Sequence, residues 1–213
     1  MNDNYFIISV YSIIFAQLSI TCTIACYLHV TPSLLHSLMY SPWYQLLLLC
    51  LSLSSIVGLY LFSLSNWKRI CMFACFTMSM STIVGIFICT CVAFGYTEVI
   101  LFAVCATMTT FVSLSILVCC CDNRNNILLV PEQLLFTALI LLLIWNVVSS
   151  VHTSIYSMLG IFVFIGYIIV DTWRIVQVKP SATRDPLLAA IDLYLDVVNL
   201  FVFIVEYYIG DTE

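Results

Sequence analysis

Residues 43–64, WYQLLLLCLSLSSIVGLYLFSL, contain no charged side chain. About 20 such residues, wound as a helix, span the hydrocarbon core of a bilayer. A helix satisfies its own backbone hydrogen bonds and turns its side chains to the lipid. Six more apolar segments repeat the pattern, at roughly 5–27, 70–94, 99–121, 133–151, 155–176 and 187–209. Over the whole chain of 213 residues, 63% are apolar and only 8% are charged. A soluble domain carries about 25% charged residues, so this composition cannot build a surface that faces water. The mean hydropathy of +1.15 agrees. Seven spans of about 20 residues consume about 140 and leave short loops, with no room for a second, soluble domain. The expected fold is all-α: one transmembrane domain over residues 1–213, a bundle of seven membrane-spanning helices. No Lys or Arg precedes the first apolar run and no clear small-residue cleavage site follows it. That run is therefore expected to be a retained span.

Turn chemistry separates the segments: Thr31-Pro32-Ser33, Ser41-Pro42, Ser65-Asn66, Asp122 to Asn126, and Lys179-Pro180-Ser181. The six Lys and Arg residues fall in or beside three alternate connections. Lys68 and Arg69 stand between spans two and three, Arg124 between four and five, and Arg174, Lys179 and Arg184 between six and seven. Excess positive charge stays on the cytosolic side, which puts the N-terminus in the cytosol. The C-terminus is then on the opposite side if the seventh segment crosses fully, or returns to the cytosol if that segment is re-entrant. His29, His36 and His152 are expected in non-cytosolic loops as plain polar residues. The net charge is −5. A basic footprint for nucleic acid is absent, and the partner the composition implies is membrane lipid.

Cysteines are numerous, but most, such as Cys22, Cys26, Cys50, Cys71, Cys75 and Cys105, lie inside apolar runs. There Cys acts as a small apolar residue. The run Cys119-Cys120-Cys121 at a predicted helix end is a candidate for palmitoylation. No cysteine spacing resembles a zinc site.

Charge inside a span costs about 2.5–3.5 kcal/mol on insertion scales and calls for an explanation. Span six ends Ile168-Ile169-Val170-Asp171-Thr172-Trp173-Arg174. Asp171 and Arg174 share a helix face and fit an ion pair near the interface, with Arg174 reaching toward water. Span seven carries Asp192, Asp196, Asn199 and Glu206. At 100° per residue these fall within about 80° of arc, a stripe that must face the bundle interior or water. Asp192 and Glu206 near the two ends also fit interfacial carboxylates; Asp196 and Asn199 lie deeper. Spans six and seven run antiparallel, which can set Asp171 and Asp196 at similar depth. Two neighbouring carboxylates in a low dielectric do not both ionise cheaply. Such a pair shares a proton and can also contact a hard divalent cation through oxygen. Asp171 and Asp196 are therefore candidates for gating and for transient Ca2+ contact, with Asp192, Asn199 and Glu206 lining or flanking the path.

The stretch Ala189-Ala190-Ile191-Asp192-Leu193-Tyr194-Leu195-Asp196-Val197-Val198-Asn199-Leu200-Phe201 closely resembles the last-span signature of the Bax inhibitor-1, or transmembrane Bax-inhibitor-motif, family. Gly166-Tyr167 followed by Asp171-Thr172 is similar to its sixth span. Val10 to Ile13, Gln17, Thr21 and Thr23 resemble the first span of its Golgi anti-apoptotic protein branch, and Phe76-Thr77 also fits. The resemblance implies a seven-helix fold with a central last helix. It implies Ca2+ leak from internal stores, protection from cell death, and a Golgi or endoplasmic reticulum membrane. It also implies that Asp171 and Asp196 form a pH-sensitive latch, with Arg174, Lys68 or Arg69 as candidate basic partners. Three positions depart from the family pattern: Met80 where some relatives are acidic, Asp192 where Ser or Asn is common, and Glu206 where many are basic.

Two functions are weighed. One is a Ca2+-permeable leak channel or regulator of stores, with Ca2+ and protons as its ligands and no resident cofactor. The other is a non-conducting membrane protein that binds apoptosis-related membrane proteins, its polar stripe serving as glue between helices. An enzyme is not expected. An aspartyl intramembrane protease carries Tyr-Asp and Gly-x-Gly-Asp, whereas Val170 precedes Asp171 and Leu-Tyr-Leu precedes Asp196. Neither Gly-x-Ser-x-Gly nor His-Glu-x-x-His occurs.

Overall fold

A computed structural model describes residues 3–61, 65–120, 132–148, 153–177 and 185–210. The described residues form helices α1 (Asp3–Val30), α2 (Pro32–Tyr40), α3 (Pro42–Leu61), α4 (Asn66–Ala93), α5 (Thr97–Cys120), α6 (Glu132–Val148), α7 (Thr153–Gln177) and α8 (Pro186–Gly210). Among them, six are long and apolar enough to cross a membrane: α1, α3, α4, α5, α7 and α8. The fifth expected segment is a shorter apolar helix, Gln133–Trp145 within α6. The chain is a polytopic helical membrane protein.

Helix α2 is absent from the sequence reading, which takes Thr31-Pro32-Ser33 and Ser41-Pro42 as breaks. The prolines do stop the preceding helices, but proline also suits the first turn of the next one, where its missing N–H is not needed. Pro32 and Pro42 each open a helix. His29 and His36 consequently lie on helices rather than in loops, in the last turn of α1 and on α2. His36 packs on Tyr40 one turn later, ring centroids 4.2 Å apart. His152, Arg124, Lys179, Arg184 and Cys121 lie outside the described residues. Cys119 and Cys120 end α5.

Two helix ends show their chemistry plainly. Beyond α4, Gly95 adopts φ +93°. Its N–H donates to the Val92 carbonyl at 3.0 Å, and that of Tyr96 donates to Cys91 at 3.0 Å. This is the Schellman arrangement, whose left-handed residue is most easily glycine. At the start of α8 the Leu187 N–H donates to Asp185 Oδ1 at 3.1 Å. Asp185 thus caps the helix, and Pro186 fills its first position.

The described chain divides into two packing units, Tyr11–Tyr96 and Met1–Val10 with Thr97–Glu213. In the first, α1 and α4 run side by side. Gln17 Nε2 donates to Thr77 Oγ1 at 3.2 Å, and Thr21 Oγ1 pairs with Ser81 Oγ at 2.8 Å. Next along, a Cβ on Gly85 would stand 3.4 Å from the Ala25 Cα, and Cys89 donates to the Ala25 carbonyl at 3.5 Å. Both helices advance four residues per contact in the same direction, so they are parallel, as first and third crossings must be. Small residues let membrane helices approach closely, and hydroxyls bond across the gap. On α3 the buried side is Ser52, Ser55, Gly58 and Leu59, while Leu46, Leu47, Leu49, Leu51 and Leu53 point outward. This polarity is the reverse of a soluble helix. Cys22, Cys26, Cys50, Cys71, Cys75 and Cys105 share the outward surface, and Cys89 and Cys91 are buried.

In the second unit α8 packs against α7 and α5, and α7 also against α5 and α6. Helix α8 is the most enclosed: 61% of its apolar stretch is buried, against at most 39% in any other spanning helix.

Candidate functional site

The α7–α8 seam positions the acidic residues. Gly160 faces the ring of Phe203, with no room for a side chain between them. Phe164 stacks on the same ring at 5.6 Å, and Tyr156 lies 5.4 Å from it. Gly166 receives Leu135 of α6 in the same way. From Phe164 to Asp171 α7 advances seven residues; from Phe203 to Asp196 α8 goes back seven. The antiparallel register therefore brings the two aspartates to one level, where their side chains come within hydrogen-bonding reach of each other. A hydrogen bond between two carboxyls requires a proton on one of them.

Asp196 is 8% exposed, and its Oδ2 has no hydrogen-bond partner in the protein. Asp171 is less enclosed and pairs with Arg174, Nη1 to Oδ1 at 3.4 Å. That guanidinium is about one third exposed and stands in the last turn of α7. Asp192, one turn before Asp196 on α8, adds its charge to the field at Asp196. Asn199 and Glu206 are half-buried. None of the four polar residues of α8 lies on the outward surface. Lys68 and Arg69 belong to the first turn of α4, in the other unit. Lys68 is exposed. Among the described residues, no three His, Cys, Asp or Glu side chains group closely enough to hold a metal ion by themselves.

Thr107 and Ser115 are not singled out by the sequence, and Gln17 and Thr172 enter there only through the family resemblance. Thr107 and Ser115 on α5 and Thr172 on α7 are buried, and their hydroxyls have no hydrogen-bond partner in the protein. In the other unit Gln17 is 1% exposed, and its Oε1 has none either. Hydroxyls in apolar runs carry little signal of their own. Four-residue spacing was the available clue, in Gln17, Thr21, Ala25 and in Thr77, Ser81, Gly85, Cys89.

A multi-pass bundle whose last two helices meet at paired aspartates defines a class of membrane protein, and sequence comparison supplies its family. Residues 3–212 match the model of the family described as "Inhibitor of apoptosis-promoting Bax1". The chain belongs to this Bax inhibitor family. It is 28% identical over 207 residues to the BI1-like protein of Arabidopsis thaliana, covering 94% of this chain and 78% of that one. It is 28% identical over 211 residues to Protein LIFEGUARD 2 of the same plant, covering 92% and 83%. Protein LIFEGUARD 4 is 30% identical over 132 residues, covering 59% of this chain and 51% of the relative.

Proposed function

We propose that this protein is a Ca2+-permeable leak pathway, or a regulator of such a leak, in the membrane of an internal Ca2+ store, and that it thereby inhibits apoptosis. The observation that carries the reading is the meeting of Asp171 and Asp196 within a membrane bundle, with one oxygen of Asp196 unpartnered. A carboxyl pair that shares a proton holds α7 against α8. Once deprotonated, the same pair repels itself and offers oxygen to a hard cation. Arg174 tunes that balance from the exposed end, and Asp192, Asn199 and Glu206 flank the path. The family description supports the anti-apoptotic part. We place the protein in the Golgi or endoplasmic reticulum on the strength of the family resemblance, with its N-terminus cytosolic on the strength of the basic connections. It works without catalysis and without a resident cofactor.

The test is Ca2+ flux through the purified protein in dye-loaded liposomes at pH 6 and pH 8, beside Asp171→Asn and Asp196→Asn. A pH-dependent flux altered in both variants supports the reading; folded protein with no flux above empty liposomes sinks it. A second reading, a non-conducting protein that acts through apoptosis-related membrane partners, draws support from the hydrogen-bonded seam of Gln17, Thr77, Thr21 and Ser81. Such a seam shows polar residues serving as glue between helices. Cell-death protection that survives loss of both carboxylates favours this alternative.

A further inference from the structure

Helix α2 stands between two crossings. Helices α1 and α3 are each long and apolar enough to span a bilayer, so α2 lies toward the membrane face where α1 ends and α3 begins. The backbone leaves helical geometry on both sides of it: Thr31 has φ −114° and ψ 73°, and Ser41 has φ −105° and ψ 94°. Each is a break at which the helix axis is free to turn, yet neither junction is loose. The Thr31 N–H donates to the Tyr27 carbonyl at 3.1 Å, and the Thr31 carbonyl accepts from the Leu34 and Leu35 N–H groups at 3.1 Å. At the far end the side-chain amide of Gln45 on α3 donates to the Met39 carbonyl at 3.2 Å. It thereby satisfies one of the carbonyls that a helix end leaves over.

The packing fixes its direction. Leu35, Leu38 and Met39 of α2 pack on a cluster of Leu28, Ile86 and Cys89, and so does Leu48 of α3. All belong to the unit Tyr11–Tyr96. A straight continuation of α1 would carry Met39 about 16 Å past Leu28, out of reach of that cluster. Thr31 stands three residues beyond Leu28, and Ser41 seven residues before Leu48. At 1.5 Å per residue the two ends of α2 are about 4.5 and 10.5 Å above the cluster. Over its own length of about 13 Å, α2 therefore runs nearer to the membrane plane than to the normal.

At 100° per residue α2 has two faces. Leu34, Leu35, Leu38 and Met39 share an arc of about 140°, and Ser33, His36, Ser37 and Tyr40 fill about 100° opposite. The first arc is the one that packs on the bundle. Ser33, His36, Ser37 and Tyr40 are all exposed, as are Trp43 and Tyr44 at the start of α3. Tyr and Trp side chains settle where lipid meets water. No Asp, Glu, Lys or Arg occurs from residue 4 to residue 67, so the outward arc offers hydroxyls and an imidazole without carboxylate or ammonium groups. Those groups donate hydrogen bonds, and the phosphate and ester oxygens of phospholipids accept them. We propose that α2 is an in-plane interfacial helix whose polar arc binds the phospholipid headgroups of that leaflet, anchored by Tyr40, Trp43 and Tyr44. With the N-terminus in the cytosol, that leaflet is the non-cytosolic one. Because the apolar arc is already spent on the bundle, docking needs neither insertion of α2 into the hydrocarbon nor anionic lipid, which sets it apart from basic amphipathic helices.

Paramagnetic broadening of backbone amide signals tests this on the full, unmutated chain in phosphatidylcholine nanodiscs. Three probes are compared: a nitroxide on the lipid headgroup, a nitroxide near the end of the acyl chain, and a water-soluble gadolinium chelate. The headgroup nitroxide is expected to broaden Ser33, His36, Ser37 and Tyr40 more than either other probe does, and to similar extents along the helix. Gadolinium broadening that exceeds the headgroup effect shows α2 standing in water and overturns the proposal. Stronger broadening from the acyl-chain probe places α2 in the hydrocarbon and overturns it equally. The double variant His36→Ala with Tyr40→Ala removes two side chains of the outward arc and leaves the apolar arc whole. It is expected roughly to halve the headgroup broadening of Ser33 and Ser37. Broadening equal to the parent's overturns binding by the polar arc.

Discussion

The side-chain amide of Gln17 donates to the hydroxyl of Thr77 at 3.2 Å, and that hydroxyl donates in turn to the Phe73 carbonyl at 3.0 Å. In lipid the hydrophobic effect does not drive one helix against another, so such contacts and close packing hold α1 to α4. A double-mutant cycle of Gln17→Leu and Thr77→Val, read by unfolding in micelles, is expected to give a coupling of about 0.6 kcal/mol. A coupling of zero means the hydrogen bond does not hold the seam.

The glycines separate by what they face. A Cβ on Gly58 would meet the flexible end of Met72, whereas one on Gly160 would press on the ring of Phe203. Gly58→Ala should be nearly neutral. Gly160→Ala should cost about 1–3 kcal/mol, and Phe203→Leu should relieve much of that cost. Melting temperatures of the four proteins check the ranking.

Proton loss from the aspartate pair turns one shared hydrogen bond into a repulsion that a divalent cation screens. Ca2+ flux in liposomes is therefore expected to rise from pH 6 to pH 8. In Asp196→Asn the pair has no second charge to gain, so the rise should flatten. A mutant with the parent's pH profile would count against the pair as the sensor.

Asp185 accepts from the Leu187 N–H at 3.1 Å at the start of the most enclosed helix. Asp185→Ala should cost about 1 kcal/mol of stability, and Asp185→Asn much less, because either oxygen-bearing side chain can cap. Equal losses in the two variants would show that the charge, rather than the cap, matters.

The spans were legible because a bilayer sets their length, and charge-free runs of that length stand out. The acidic stripe of α8 was legible because 100° per residue puts Asp192, Asp196, Asn199 and Glu206 on one arc. The level match of Asp171 and Asp196 followed from antiparallel neighbours. Outside α8, which side of a helix turns inward was not legible. Helices apolar all round give no contrast between faces, so Cys22, Cys26 and Cys50 gave no sign that they point outward. Nor did Thr107 and Ser115 stand out, since a hydroxyl hardly lowers the hydropathy of a window. Helix α2 was hidden because proline marks both the end of one helix and the start of the next.

The parallel pairing of α1 with α4 has a consequence in time. The partners Gln17 and Thr77 are separated by 60 positions, and α3 lies between them. At about 5–20 residues per second, a ribosome takes roughly 3–12 s to make that interval. Throughout it, the newborn first helix sits in the membrane with its amide unmatched, leaning on water, lipid headgroups or the insertion machinery. The seam can close only when the third crossing arrives, which makes the entry of α4 the moment at which the nascent chain commits to its fold.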